Sequence, residues 1–193
     1  NIAQQVIKQS LTLNNPTRWD VESPYLYSVV SQVWKNEQLV DQQTSPLGIR
    51  EITFKADDGL WLNGRRVQIK GVCLHHDNGP LGAIVNRRAI ERKLEIMKSM
   101  GVNSIRTSHN PPSPELIVQV EAFDVWKKEK RTVVNGYQVF FDDWHERDLR
   151  DMIIQNRNSP SVYMWSTGNE IMEQAQKDGW KVAKTLTEIA RDE

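Results

Sequence analysis

Four short groups of ionisable and polar residues each follow an apolar stretch of the chain. His75, His76 and Asp77 come after Gly71-Val72-Cys73-Leu74. Arg106, Ser108, His109 and Asn110 come at and after Val102-Asn103-Ser104-Ile105. Glu121 and Asp124 follow Val118-Gln119-Val120. Ser166, Thr167, Gly168, Asn169 and Glu170 follow Val162-Tyr163-Met164-Trp165. A carboxylic acid set among apolar and aromatic walls stays protonated to higher pH and serves as a general acid near neutrality. Glu170 is placed for that work, and Asn169 beside it suits a substrate hydroxyl. The plain alternative is a solvated glutamate closing a loop. His75 and Asp77 fall on one side of an extended segment and also read as metal ligands, but no closed four-ligand set accompanies them. One histidine orienting a substrate hydroxyl is the favoured reading, and no metal is expected. His109 reads equally as a buried structural histidine. Arg87-Arg88 and the run from Lys127 to Arg131 read as solvated surface.

The elements that must position these groups change character near residues 50–70. Before that point the chain reads as β. Tyr25 to Val30 and Gln32 to Trp34 are β-branched and aromatic, Lys35-Asn36-Glu37 turns, and Gln38 to Val40 returns. Ile49 to Lys55 alternates as a strand. Leu60 to Leu62 and Val67 to Ile69 flank Asn63-Gly64, a pair suited to the two positive-φ positions of a type I′ hairpin turn. After residue 70, strands at 71–74, 102–105, 118–120 and 162–165 alternate with helices at 87–100, 144–155 and 179–191. Asn86 caps the first helix, and Gly101 occupies the position after its end. Strand and helix in alternation imply parallel strands joined by right-handed crossovers. In such folds working residues gather past the strand C-termini, where all four polar groups stand. The short link from Pro114 to Val118 is less than the dozen residues a parallel crossover needs, so residues are expected to be missing there.

Composition narrows the partners. Hydrophobic residues make up 38% and charged residues 26% of 193, which excludes disorder and collagen. Lys+Arg and Asp+Glu both number 25, so no charge excess invites a phosphate backbone, and no nucleic acid is expected. No apolar run approaches the ~20 residues of a membrane helix, so no membrane is expected. The lone Cys73 excludes an intrachain disulfide and leaves the compartment undetermined. No GxGxxG or GxxxxGK[ST] loop is present, which argues against a nucleotide-binding open sheet. The chain opens at Asn1 without Met and ends on Arg191-Asp192-Glu193 out of a helix; the expectation is a piece of a longer protein.

The motifs together resemble glycoside hydrolase family 2, which holds β-galactosidases, β-glucuronidases and β-mannosidases. Trp19 to Tyr27 resembles the W-x-P-E-x-P-x-L-Y signature of its immunoglobulin-like domain. Asn63-Gly64 with Lys70-Gly71-Val72 resembles the entry to its barrel. Arg106-Thr107-Ser108-His109-Asn110-Pro111 resembles R-x-S-H-x-P, and Trp165 to Glu170 resembles W-S-x-G-N-E. Residues around His109 and Asn86-Arg87-Arg88 are nearest the β-galactosidase branch. The resemblance implies the end of an immunoglobulin-like β-sandwich over 1–51, then the first half of a (β/α)8 TIM barrel over 52–193.

It also implies retaining hydrolysis of terminal β-galactosides through a glycosyl-enzyme, with carboxylates about 5–5.5 Å apart. β-Glucuronides, β-mannosides or a non-catalytic carbohydrate-binding role remain alternatives. By the same resemblance Glu170 is the acid/base and Asn169 contacts the sugar 2-hydroxyl. His75 and His109 line the sugar subsite, Arg106 supports the carboxylates, and Glu121 stands at the third-strand substrate-binding position. The family's nucleophile comes from a seventh strand, and no residue here matches it, so this stretch alone is expected to be catalytically silent. Positions that hold magnesium in some relatives are Val125 and Lys127 here, so no cofactor is carried over. A carbohydrate is the expected partner, and a homo-oligomer is open.

Overall fold

The computed structural model describes residues 7–109, 113, 140–169 and 175–193. The first unit is an antiparallel hairpin of β1 (Tyr27–Lys35) and β2 (Gln38–Leu47). Lys35 pairs with Gln38, so Asn36 and Glu37 form a two-residue loop, and both have positive φ (49° and 64°). That is the type I′ geometry, whose twist matches the flanking strands. One continuous β1 replaces the two short strands expected before the turn. A register shift between Val33 and Trp34 marks a bulge in this ladder.

A second antiparallel sheet joins β3 (Ile52–Lys55), β4 (Gly59–Leu62) and β5 (Arg65–Arg66). Asn63 and Gly64 turn the chain with φ of 53° and 79°, as the hairpin expectation required. Strand β3 begins later than expected. At Glu51 the backbone N–H is taken by the Asn63 side chain (3.0 Å), and Glu51 O accepts from the Asn63 backbone (2.8 Å). The last strand is also displaced: β5 covers 65–66 and not 67–69, with only Val67 N reaching back to Leu60 O at 2.8 Å.

The same turn fastens the Trp19-Asp20 segment. Asn63 Nδ2 donates to Trp19 O at 2.9 Å, and Arg65 pairs with Asp20 at 2.8 Å. Trp19 N donates to Ile49 O at 2.8 Å. Two motifs 44 residues apart are thus in direct contact.

The third unit is parallel: β6 (Gly71–His75) pairs in register with β7 (Ser104–Ser108), linked by α1 (Arg87–Ser99). Asn86 accepts from Ala89 N at 3.0 Å, as a cap should. The helix ends in a Schellman arrangement: Gly101 (φ 84°) donates to Lys98 O and Val102 to Met97 O. Val102 therefore belongs to the helix stop, and β7 starts two residues later than expected and runs to Ser108. Strand alternation sends Val72, Leu74 and Ile105 toward Ile90, Leu94 and Met97 of α1. The opposite face carries Cys73, His75 and Arg106. Asn103 ties the two strand entries together: its N–H donates to Lys70 O (3.0 Å), its Oδ1 accepts from Lys70 N (2.7 Å), and its Nδ2 donates to Gln68 O (2.9 Å).

Helices α2 (Phe141–Asn156) and α3 (Trp180–Asp192) pack through Phe141, Leu149, Met152 and Ile153 against Leu186 and Ile189. Arg150 bridges them, pairing with Glu146, Asp192 and Glu193 at 2.8–3.2 Å. These carboxylates raise its guanidinium pKa well above the ordinary value, chiefly through the Glu193 hydrogen bond. Trp165 packs against this cluster. The expected strand at 162–165 is corrected: these residues form no ladder with any described strand. Val162 O accepts from the Arg50 side chain, and Tyr163 OH meets Ser104 Oγ at 2.5 Å. A strand needs a backbone neighbour, and the one expected at 118–120 lies outside the described residues. No helix among those described is long and apolar enough to cross a membrane.

Candidate active site

The shared face of β6 and β7 sets up the site. Cys73 and Arg106 are register partners, and the Arg106 guanidinium lies 4.0 Å from Cys73 Sγ. Arg106 also donates from its second NH2 nitrogen to Asn169 Oδ1 at 3.2 Å. A guanidinium only donates, so this contact orients the Asn169 amide. Its Nδ2 then faces His109 Nε2 at 3.4 Å, which accepts in the tautomer that carries its proton on Nδ1. His109 meets His75 edge-to-face, with ring centroids 5.2 Å apart and planes at 83°. Arg106, Asn169, His109 and His75 therefore form one continuous row at the C-terminal ends of β6 and β7, and Asn169 enters from the segment after Trp165. Ser166 Oγ donates to Gly168 O at 3.1 Å and bends that segment into the row. The Ser108–His109 peptide is cis.

Of the residues expected at the site, His75, His109, Arg106 and Asn169 are brought together. Glu170, Glu121, Asp124 and Asn110 lie outside the described residues. His109 is half-buried and in contact with two other polar residues, and a histidine sealed in an apolar core does not fit that setting. Among the described residues no group of three or more His, Cys, Asp or Glu gathers to hold a metal, so His75 and Asp77 find no third ligand there.

Sequence reasoning missed three features. Cys73 stands two residues before His75 on a strand and so shares its face; that parity was available. The Lys93 ammonium on α1 bonds the Asp77 carbonyl, and nothing local signalled it. Ile84 and Val85 flank the same loop as exposed aliphatic side chains.

A parallel β/α unit with its polar residues at the strand C-termini is the arrangement of a barrel enzyme domain. Residues 54–189 match the TIM barrel domain of glycosyl hydrolases family 2, and residues 1–50 match a second domain of that family. The chain belongs to glycoside hydrolase family 2. Units β6, α1 and β7 are the start of its (β/α)8 barrel, preceded by the end of its sandwich domain. The chain is 51% identical over 191 residues to beta-galactosidase BoGH2A of Bacteroides ovatus, covering 94% of this chain and 22% of that protein. It is 28% identical over 193 residues to a beta-glucuronidase of Bacteroides fragilis, covering 95% and 28%. A family 2 crystal structure from Bacteroides cellulosilyticus superposes with a TM-score of 0.84 at 39% identity, covering 92% of this chain and 24% of that one. The chain thus spans about a quarter of the length of the curated relatives it matches.

Proposed function

We propose that this chain forms part of a retaining β-glycosidase that removes terminal β-galactose from its substrates. The observation that carries the reading is the row Arg106–Asn169–His109–His75, four residues from three separated segments in contact on one rim. The 51% identity to a beta-galactosidase supports galactose as the sugar. Residues 1–51 serve as the end of the sandwich and 52–193 as the first half of the barrel.

In this reading Glu170, next to Asn169 in the chain, protonates the leaving oxygen and then activates water. A carboxylate from outside this stretch attacks the anomeric carbon. Asn169 donates to the sugar 2-hydroxyl, His75 and His109 line the ring's subsite, Arg106 holds Asn169 in place, and Glu121 contacts substrate from the third strand. A β-glucuronidase is the second reading, favoured by the similarity to the Bacteroides fragilis enzyme.

Glu170→Gln in the whole protein tests the chemistry. It should nearly abolish hydrolysis of galactosides with poor leaving groups and spare the first step on activated aryl galactosides, which need little protonation. Equal losses on both would remove Glu170 from the acid role. Faster turnover of an aryl β-glucuronide than of the galactoside would select the second reading, and turnover of neither would leave a non-catalytic carbohydrate-binding protein.

A further inference from the structure

Asn169 and Glu170 stand at the end of a segment that follows α2. Its first part, Pro160 to Val162, is buried. Three residues from the stretch 1–50, which matches the family's second domain, hold that part. Gly48 leaves no room for a Cβ against the Pro160 ring, and the same Cβ would crowd Trp19. The Arg50 guanidinium donates to Val162 O. Its Cζ also lies 5.9 Å from the centre of the Trp19 ring, within cation–π reach, so the indole steadies the group that meets the carbonyl.

A buried carbonyl needs a donor. Residues 162–165 form no ladder with any described strand, and Val162 O takes a donor from Arg50, 112 residues earlier in the chain. A charged donor makes a stronger bond than a neutral one, and the bond fixes a direction as well as a place. The rest of the segment passes that placement on. Tyr163 OH meets Ser104 Oγ of β7 at 2.5 Å, Trp165 packs against the α2–α3 cluster, Ser166 Oγ bonds Gly168 O, and Asn169 meets Arg106 and His109. The backbone therefore has little slack between Val162 and Asn169.

We infer that Arg50 is a positioning residue for the proton transfer: through Val162 it sets where the segment delivers Asn169 and Glu170. A residue outside the stretch that matches the barrel thus governs the acid step. The inference rests on the glycosidase reading above, in which Glu170 is the acid. A general acid must meet the leaving oxygen at hydrogen-bond distance, about 2.6–3.2 Å. A misplacement of about 1 Å costs on the order of 10²-fold. Protonation of a poor leaving group is the step most sensitive to such a shift.

The test uses the whole protein and two glycosides of the sugar it cleaves fastest. One is an alkyl glycoside, whose leaving oxygen must be protonated. The other is a dinitrophenyl glycoside, whose leaving group needs little protonation. The readout is the ratio of their kcat/KM values, measured on one preparation so that a smaller folded fraction cancels. Arg50→Met should lower the alkyl-to-aryl ratio about tenfold, and Arg50→Lys, which keeps a cationic donor, should recover part of it. Glu170→Gln is the reference and should lower the ratio further. An Arg50→Met ratio within about twofold of wild type, beside a lowered Glu170→Gln ratio, would overturn the inference alone and leave Arg50 a structural link. A Glu170→Gln ratio equal to wild type would overturn the acid assignment and the inference with it. So would a wild-type protein that cleaves no glycoside.

Discussion

Gly48 and Pro160 meet with no room for a side chain between them: a Cβ on Gly48 would lie 2.4 Å from Pro160 Cβ and 2.5 Å from its Cγ. Gly48 directly follows the β1–β2 hairpin, and the buried Pro160 follows α2, so this contact joins the end of the sandwich to the barrel. The same Cβ would also lie 3.2 Å from Trp19 Cβ. Neither a proline ring nor a Cβ can swing away.

Gly48→Ala should therefore destabilise the protein by about 1–3 kcal/mol, the usual cost of an overpacked site. Urea unfolding of the whole protein measures it. An unchanged midpoint would mean that the two segments separate freely and that their contact contributes no packing energy.

Asn63 combines a left-handed backbone with two side-chain hydrogen bonds, to Glu51 N and Trp19 O. Asn63→Ala loses both bonds, at about 0.5–1.5 kcal/mol each, and adds a left-handed penalty of roughly 1–2 kcal/mol. Asn63→Gly loses the bonds and relieves the backbone. The expected order of melting temperature is wild type, then Gly, then Ala. A glycine variant no better than alanine would show that the turn's backbone conformation costs nothing.

Arg106 donates to Asn169 at 3.2 Å, and in the proposed function it acts on the sugar through that amide. Arg106→Met should free the amide to rotate and lower kcat/KM on the order of 10²-fold, the scale of a misplaced binding group. Arg106→Lys should rescue little, since a point ammonium does not reproduce the fork that meets both Cys73 and Asn169. An Asn169→Ala background decides the route: there Arg106→Met should add almost nothing. Full additivity in the double variant would give Arg106 a role independent of Asn169.

How much could be read in advance depends on how local each cause is. Helix α1 was legible because its cap, apolar stripe and Gly101 all lie within the segment. The Asn63-Gly64 turn was legible for the same reason. The sequence suggests too early a start for strand β7, because Val102 is apolar like a strand residue, yet its N–H closes the helix on Met97. The run 162–165 reads as a buried strand from its composition, but a ladder is a property of two segments, and one cannot supply it. The site divides in the same way. His75, His109, Arg106 and Asn169 follow apolar runs, so their rim was readable; the contacts Arg106 makes with Asn169 and Cys73 depend on register and not on sequence neighbours.

Asn103 sits at the far end of the strands from the chemistry, where it binds the chain on both sides of the Gln68–Lys70 entry. Five residues at about 3.3 Å each carry that alignment to His75 and Ser108. The two strands thus behave as a pair of levers with one pin at the base, and the histidine spacing at the tip is only as well defined as the pin. A slip of one residue in β7 there would turn Arg106 from the rim toward the helix.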